Sequence, residues 1–257
     1  MSDAVRMELD EAGTRVRVEL RHPKGNLVTA EMLRGLRECL SEVAGRPRVR
    51  LLTIEGAGRD FSFGAAIEEH RPELIGEVLP EIRQVVEKLL AAPAPTAAIV
   101  RGRCLGGGFE LALACDLIFA AEDAVFGLPE VKLGVFPPIA AILLPARVGL
   151  ARATRAMLTG EARSATYWRA AGLITAVAPA ARLDNVVRHW FNRHLAAASA
   201  SGLRYVAAAA RQELRSAVAR RLPALERLYL DRLMTTHDAV EGVTAFLEKR
   251  RPNWQDR

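Results

Sequence analysis

The sequence predicts an α/β fold with a helical C-terminal part, and three observations carry that prediction. Up to about residue 150, short apolar or alternating runs are followed by stretches of helical apolar spacing, in a strand, strand, helix order repeated with variation. Beyond that point helical patterns dominate. The chain has 257 residues, half of them hydrophobic, which suits one large domain or a main domain with a helical appendage.

Residues 15–20 (RVRVEL) alternate polar and apolar, as a half-buried strand does, and Pro23 and Gly25 break the run. Thr29 can cap a helix over residues 30–42, with Leu33, Leu36 and Leu40 on one stripe and Cys39 beside it. Residues 49–54 (VRLLTI) read as a buried strand, and residues 55–66 as a glycine-bearing loop. A second amphipathic helix is expected over residues 79–90, where Ile82, Val85, Val86 and Leu89 share a face and Pro80 falls in the first turn. Residues 96–100 read as a strand, 102–108 as a second glycine loop and 109–115 as a helix. Strands at 117–121 and 124–126, a loop over 127–138 and a helix over 139–148 follow. Helices are expected over 183–200, 203–221 and 238–249. With no flexible linker in view, the chain divides into a core over residues 1–195 that holds the site and a helical region over 196–257.

Composition excludes several classes. No apolar run reaches the roughly 18–20 residues of a membrane span, and the acidic start MSDAVRMELDEAG has no apolar signal segment, so a cytoplasmic protein is expected. Cys39, Cys104 and Cys115 show no metal-ligand or disulfide spacing and read as packing thiols, and the histidines are scattered, so no metal site is expected. The net charge of +6 raises nucleic-acid binding. However, the arginines are spread along helix faces without an aromatic-rich basic motif, so a solvated surface is the simpler reading. A basic surface is also compatible with a polyanionic ligand carrying several phosphates.

The chemistry-bearing pattern is GRCLGGGFELALACD, three glycines at the start of a helix. Glycine admits close backbone approach, and a first helical turn presents free N–H groups with partial positive charge, so the loop suits an oxyanion or phosphate. The structural alternative is a tight turn. No GK[ST] follows, and GGG is not GxGxxG, so neither a P-loop nor a dinucleotide fingerprint fits. The loop FSFGAA offers a second set of donors. Glu110, among apolar neighbours on the first turn, should be partly buried, which raises a carboxyl toward acid–base use; otherwise it only complements the helix dipole. Glu130 follows Pro129 and reads locally as a surface loop residue. Two carboxylates beside one oxyanion site would suit a proton shuttle around a water.

The stretch CLGGGFELALACDLIFAAEDAVFGLPEVKLGVFP resembles the crotonase (enoyl-CoA hydratase/isomerase) superfamily signature, and RHPKGNLVTAEML and DAVEGVTAFLEKRRPNW resemble its N-terminal turn and terminal helix. The resemblance implies a spiral of ββα turns whose C-terminal helices mediate trimers or pairs of trimers. It implies a coenzyme A thioester as substrate and no other cofactor. The thioester carbonyl would be held by the backbone N–H groups of Ala65 and Gly107, with Gly106 beside them, and the water by Glu110 and Glu130. Both glutamates occupy the matching positions, which favours hydratase over isomerase chemistry.

Two loops depart from the family pattern. Ordinary enoyl-CoA hydratases read roughly FxAGAD where this chain has FSFGAA, with Phe63 for a small residue and Ala66 for the aspartate. They read PGxGGTQRLPR after the position of Gly134, where this chain has VFPPIAAILLPAR. The changes imply a more apolar acyl pocket, with Phe61, Phe63, Phe136 and Pro137 as candidate walls for a flat ring or as ordinary packing. FSFGA with EEH, and GVFPPIAAILLP, are similar to hydratases of cyclohexa-1,5-diene-1-carbonyl-CoA in anaerobic benzoyl-CoA degradation. A general enoyl-CoA hydratase or isomerase is the alternative, and an RNA-binding scaffold is a second class. Lys24 and Leu27, by the matching loop, are candidate coenzyme A contacts.

Overall fold

The computed structural model describes residues 3–257. β1 (Val5–Leu9), not anticipated from sequence, pairs antiparallel with β2 (Arg15–Leu20). α1 (Ala30–Ala44) begins where Thr29 accepts the Met32 amide, as expected of an N-cap, and buries Leu33, Leu36, Cys39 and Leu40. β3 (Leu51–Gly56) lies parallel to β2.

α2 spans Pro72–Leu90, seven residues more than residues 79–90. Ile75 and Val78 extend its buried stripe, and Pro72 supplies the start that the sequence reading assigned near Pro80. Pro80 therefore lies inside the helix, where it cannot bond Gly76, a residue with open space around it.

β4 (Thr96–Val100) is buried throughout, as a central parallel strand must be. β5 (Arg103–Leu105) falls inside the stretch expected to be loop, and α3 (Gly107–Leu113) starts two residues before residue 109. β6 (Leu117–Ala121) and β7 (Val125–Gly127) follow, then a 3₁₀ turn over Pro129–Leu133 and α4 (Ala140–Val148). α5 (Leu150–Thr159), β8 (Arg163–Ser164), α6 (Ala165–Ala170) and β9 (Ala176–Ala178) complete the core.

The strands form two sheets, β1-β2-β3-β4-β6-β9 and β5-β7-β8. Strand β4 continues into β5 of the second sheet, and β6 into β7, before a helix returns the chain. The segment after β3 joins the same stack through a Ser62–Cys104 bridge. These are the turns of a ββα spiral. Phe109 packs edge-on against Phe126 and Trp168 between the layers, at 5.3 and 5.5 Å. All three cysteines are free and buried, consistent with packing thiols.

The C-terminal helices are divided differently from expectation, into α7 (Leu183–His194), α8 (Ala200–Ala210), α9 (Gln212–Arg227) and α10 (His237–Leu247). Arg211, buried at the α8–α9 junction, donates to the carbonyls of Ala92 and Ala94 at 2.6 and 2.8 Å and pairs with Asp116. Asp116 in turn accepts the Thr96 amide. One guanidinium thus fastens α9 to the entrance of β4. Among the described residues no helix is long and apolar enough to cross a membrane, and no acidic, His or Cys cluster could hold a metal ion.

Candidate active site

The site lies where the spiral's loops converge, in a cavity of about 80 Å³. That is several times the room one water needs, roughly 10–15 Å³. Ala65, Gly106, Gly107, Glu110 and Glu130 all line it.

Its floor is built by close approach of the two glycine loops. Val28 donates to Gly64 O and receives the Ala66 amide, a bridge that turns the Ala65 amide away from the ladder. A Cβ placed on Gly107 would lie only 3.4 Å from Ala65 N. Ala65 and Gly107 therefore lie close together in the cavity lining, and the amide of neither donates to another described residue. The three glycines serve three neighbours. Gly106 lies against Glu130, Gly107 against Ala65, and Gly108 against Ser62, where an added Cβ would come within 2.5 Å of Ser62 Cβ. Gly106 also holds φ +48° with ψ −126°, a conformation that side chains resist.

Glu110 is buried, and its Oε1 accepts the amides of Ile139 and Ala140 at 2.9 and 2.8 Å. Burial pushes its carboxyl up from 4.5 to about 7 against the opposing pull of those two donors. Glu130, read from sequence as a surface loop residue, sits instead on the 3₁₀ turn with a buried carboxyl whose Oε2 has no partner in the chain. Burial first, and then the charge of Glu110, push it up to about 8. The charge of Glu110 disfavours ionisation of Glu130, so the two carboxyls titrate as a pair.

The walls are apolar and come from several elements. Ile67, Leu79 and Ile82 form one side, and Phe136, Pro137, Pro138 and Ile139 another. Phe63 lines the cavity with the Arg103 guanidinium 3.9 Å over its ring, and it leans on Gly25, where a Cβ would come within 2.7 Å of the ring. The EEH segment forms a 3₁₀ turn in which Glu69 caps α1 through the Ala30 amide, while His70 reaches the cavity wall.

Two site expectations are corrected, for Phe61 and for the range of residues that builds the cavity. Phe61 is buried in the core, its amide bonded to Arg101 O, and does not line the cavity. Lys24 and Leu27, expected as coenzyme A contacts, lie outside the lining of the acyl cavity, and Phe63, whose amide donates to Gly25 O, ties their loop to it. The cavity is not built by residues 1–195 alone, because Leu222, Glu226 and Tyr229 close it from the C-terminal helices. Glu226 pairs with Arg83 at 2.9 Å in that wall. Sequence reasoning missed Tyr229 because nothing near it signals the π-helical turn over Leu228–Leu233 that follows α9.

Comparison with known proteins agrees with this geometry. A family model described as enoyl-CoA hydratase/isomerase matches residues 11–257. A Thauera aromatica protein named cyclohexa-1,5-dienecarbonyl-CoA hydratase is 40% identical over 256 residues, covering 100% of this chain and 98% of its own. The 2,3-dehydroadipyl-CoA hydratase of Escherichia coli (strain K12) is 33% identical over 237 residues, covering 90% and 91%. The crystal structure of an enoyl-CoA hydratase from Mycobacterium avium subsp. paratuberculosis K-10 superposes with a TM-score of 0.85 at 32% identity, covering 100% of both chains.

Proposed function

Because the chain belongs to the enoyl-CoA hydratase/isomerase family, we propose that it hydrates cyclohexa-1,5-diene-1-carbonyl-CoA to 6-hydroxycyclohex-1-ene-1-carbonyl-CoA. The observation that carries hydration is the buried Glu110–Glu130 pair beside two unspent amides. The ring substrate is supported by the apolar walls of Phe63, Phe136 and Pro137 and by the likeness to the Thauera aromatica hydratase.

The amides of Ala65 and Gly107 polarise the thioester carbonyl, each donor contributing roughly 3–4 kcal/mol in the transition state. Glu110, whose ionised form is favoured by two backbone donors, accepts a proton from water as the water oxygen bonds to the β-carbon. The displaced electron pair moves onto the thioester oxygen. In the cyclic diene that charge extends along the second double bond. Glu130, held protonated, delivers its proton at the far end of that bond, a 1,4-addition that consumes one water. Proton exchange between the two carboxyls restores the starting state.

No cofactor enters the scheme, and the coenzyme A portion lies toward the Lys24–Leu27 loop outside the acyl cavity. Exposed Tyr205 and Val206 on α8 suit self-association, as a trimer or a pair of trimers.

The test mixes purified protein with the dienoyl-CoA and with crotonyl-CoA and follows hydration by ultraviolet absorbance, with product analysis to separate hydration from isomerisation. The dienoyl-CoA should turn over faster. Faster turnover of crotonyl-CoA would reject the ring substrate, and double-bond migration without water uptake would reject hydration.

A further inference from the structure

Tyr229 is only 2% exposed, lines the cavity of Glu110 and Glu130, and has a hydroxyl with no hydrogen-bond partner in the chain. A buried phenol ordinarily finds a partner, because leaving it unpaired costs about 1–3 kcal/mol. Glu130 Oε2, in the same cavity, is the other buried side-chain polar atom of the lining without one among the described residues. The Tyr229 ring is fixed against Phe136 at 5.4 Å. Its backbone is held by the Met234 amide bonding Tyr229 O at 2.9 Å, a five-residue spacing that marks the π-helical turn. Such turns re-aim a side chain out of regular helical register.

We propose that Tyr229 is a further catalytic residue, its hydroxyl and Glu130 Oε2 holding the same oxygen: the water being added and the hydroxyl it becomes. The two atoms do not bond each other and belong to residues that line one cavity, where one bridging oxygen can satisfy both. Burial, then the charges of Glu130 and Glu110, hold the phenol proton firmly, so Tyr229 remains an O–H donor while the carboxyls exchange protons. In that role it orients the water toward the ring carbon under attack and moves no proton itself. The inference rests on the hydration reading above.

The test is Tyr229→Phe, which keeps the ring against Phe136 and removes only the hydroxyl. On the dienoyl-CoA, kcat should fall about ten- to a hundredfold, as the loss of one hydrogen bond to the reacting oxygen implies, with KM changed less than threefold. The midpoints of the pH profile should stay in place, because Tyr229 does not titrate in that range. The melting temperature should not fall, because no bond within the chain is lost. A wild-type-like kcat would overturn the proposal while leaving the hydration reading intact. A lowered melting temperature with kcat and KM shifted together would also overturn it, by showing a structural role. A wild-type protein that hydrates neither substrate would overturn both.

Discussion

Replacing Glu110 with Gln separates the chemistry of that carboxyl from its structural duty. The Gln carbonyl can take the place of Oε1 and keep both amide bonds, from Ile139 at 2.9 Å and Ala140 at 2.8 Å, so the fold should survive. Without the base, turnover should fall by roughly 10²–10⁴. Stability should move the other way, and in a pH-dependent manner. Folding raises the Glu110 carboxyl from 4.5 to about 7, so between those values the folded state binds more protons than the unfolded chain and loses stability as pH rises. At about 1.4 kcal/mol per pKa unit, the full penalty is about 3 kcal/mol above pH 7 and nearly absent at about pH 4. Gln carries no such penalty. It also removes the Glu110 charge that helps raise Glu130, which widens the gap in the same direction. In thermal unfolding the variant should match wild type at about pH 4 and exceed it by several degrees at about pH 9, at roughly 2–4 °C per kcal/mol for a chain of this size. A difference that does not change with pH, or near-normal turnover by the variant, would refute the reasoning.

Gly106→Ala should lower kcat more than tenfold while the fold persists, because the new Cβ would lie 2.8 Å from Glu130 Oε1 and must displace it. The backbone conformation there adds about 1–3 kcal/mol of strain, readable as a lower unfolding midpoint. Arg211→Ala should destabilise by about 1.5–3 kcal/mol, because it removes the charged partner of half-buried Asp116 and frees the carbonyls of Ala92 and Ala94. Chemical denaturation reads this directly, and an unchanged midpoint would show that α9 is held by its apolar face and the Glu226–Arg83 pair without help from Arg211.

The parts of the fold legible in the sequence were those with local signals. The stripe of Leu33, Leu36 and Leu40 behind Thr29, and the apolar run of residues 96–100, appear as read. So does the approach of two glycine loops, which the family resemblance implies through the amides of Ala65 and Gly107. What was hidden depended on partners distant in the chain. β5 and β9 are three residues each and exist only because β7 and β6 pair with them. Glu130 looks like a surface residue until Gly106 and the C-terminal helices cover it. Phe61 and Phe63 carry the same side chain two residues apart. Only the hydrogen bond of Phe61 to Arg101 O, and the space Gly25 leaves for Phe63, send one to the core and the other to the cavity.

The segment that departs furthest from the family pattern, VFPPIAAILLPAR, also shows why its glycines could be lost without losing the chemistry. What Glu110 takes from this segment is the backbone N–H of Ile139 and of Ala140, at the start of α4, where helical geometry leaves amides free. Any residue but proline supplies an amide, so glycine is not required at either position. Pro137 and Pro138 precede those donors, Pro145 follows them, and none removes an amide that the site uses. Side-chain identity here is therefore free to shape the acyl wall, and Phe136, Pro137, Pro138 and Ile139 make that wall apolar and rigid. Catalytic support comes from the backbone and selectivity from the side chains of the same few residues. The segment can thus change its substrate preference while its hold on the base stays fixed.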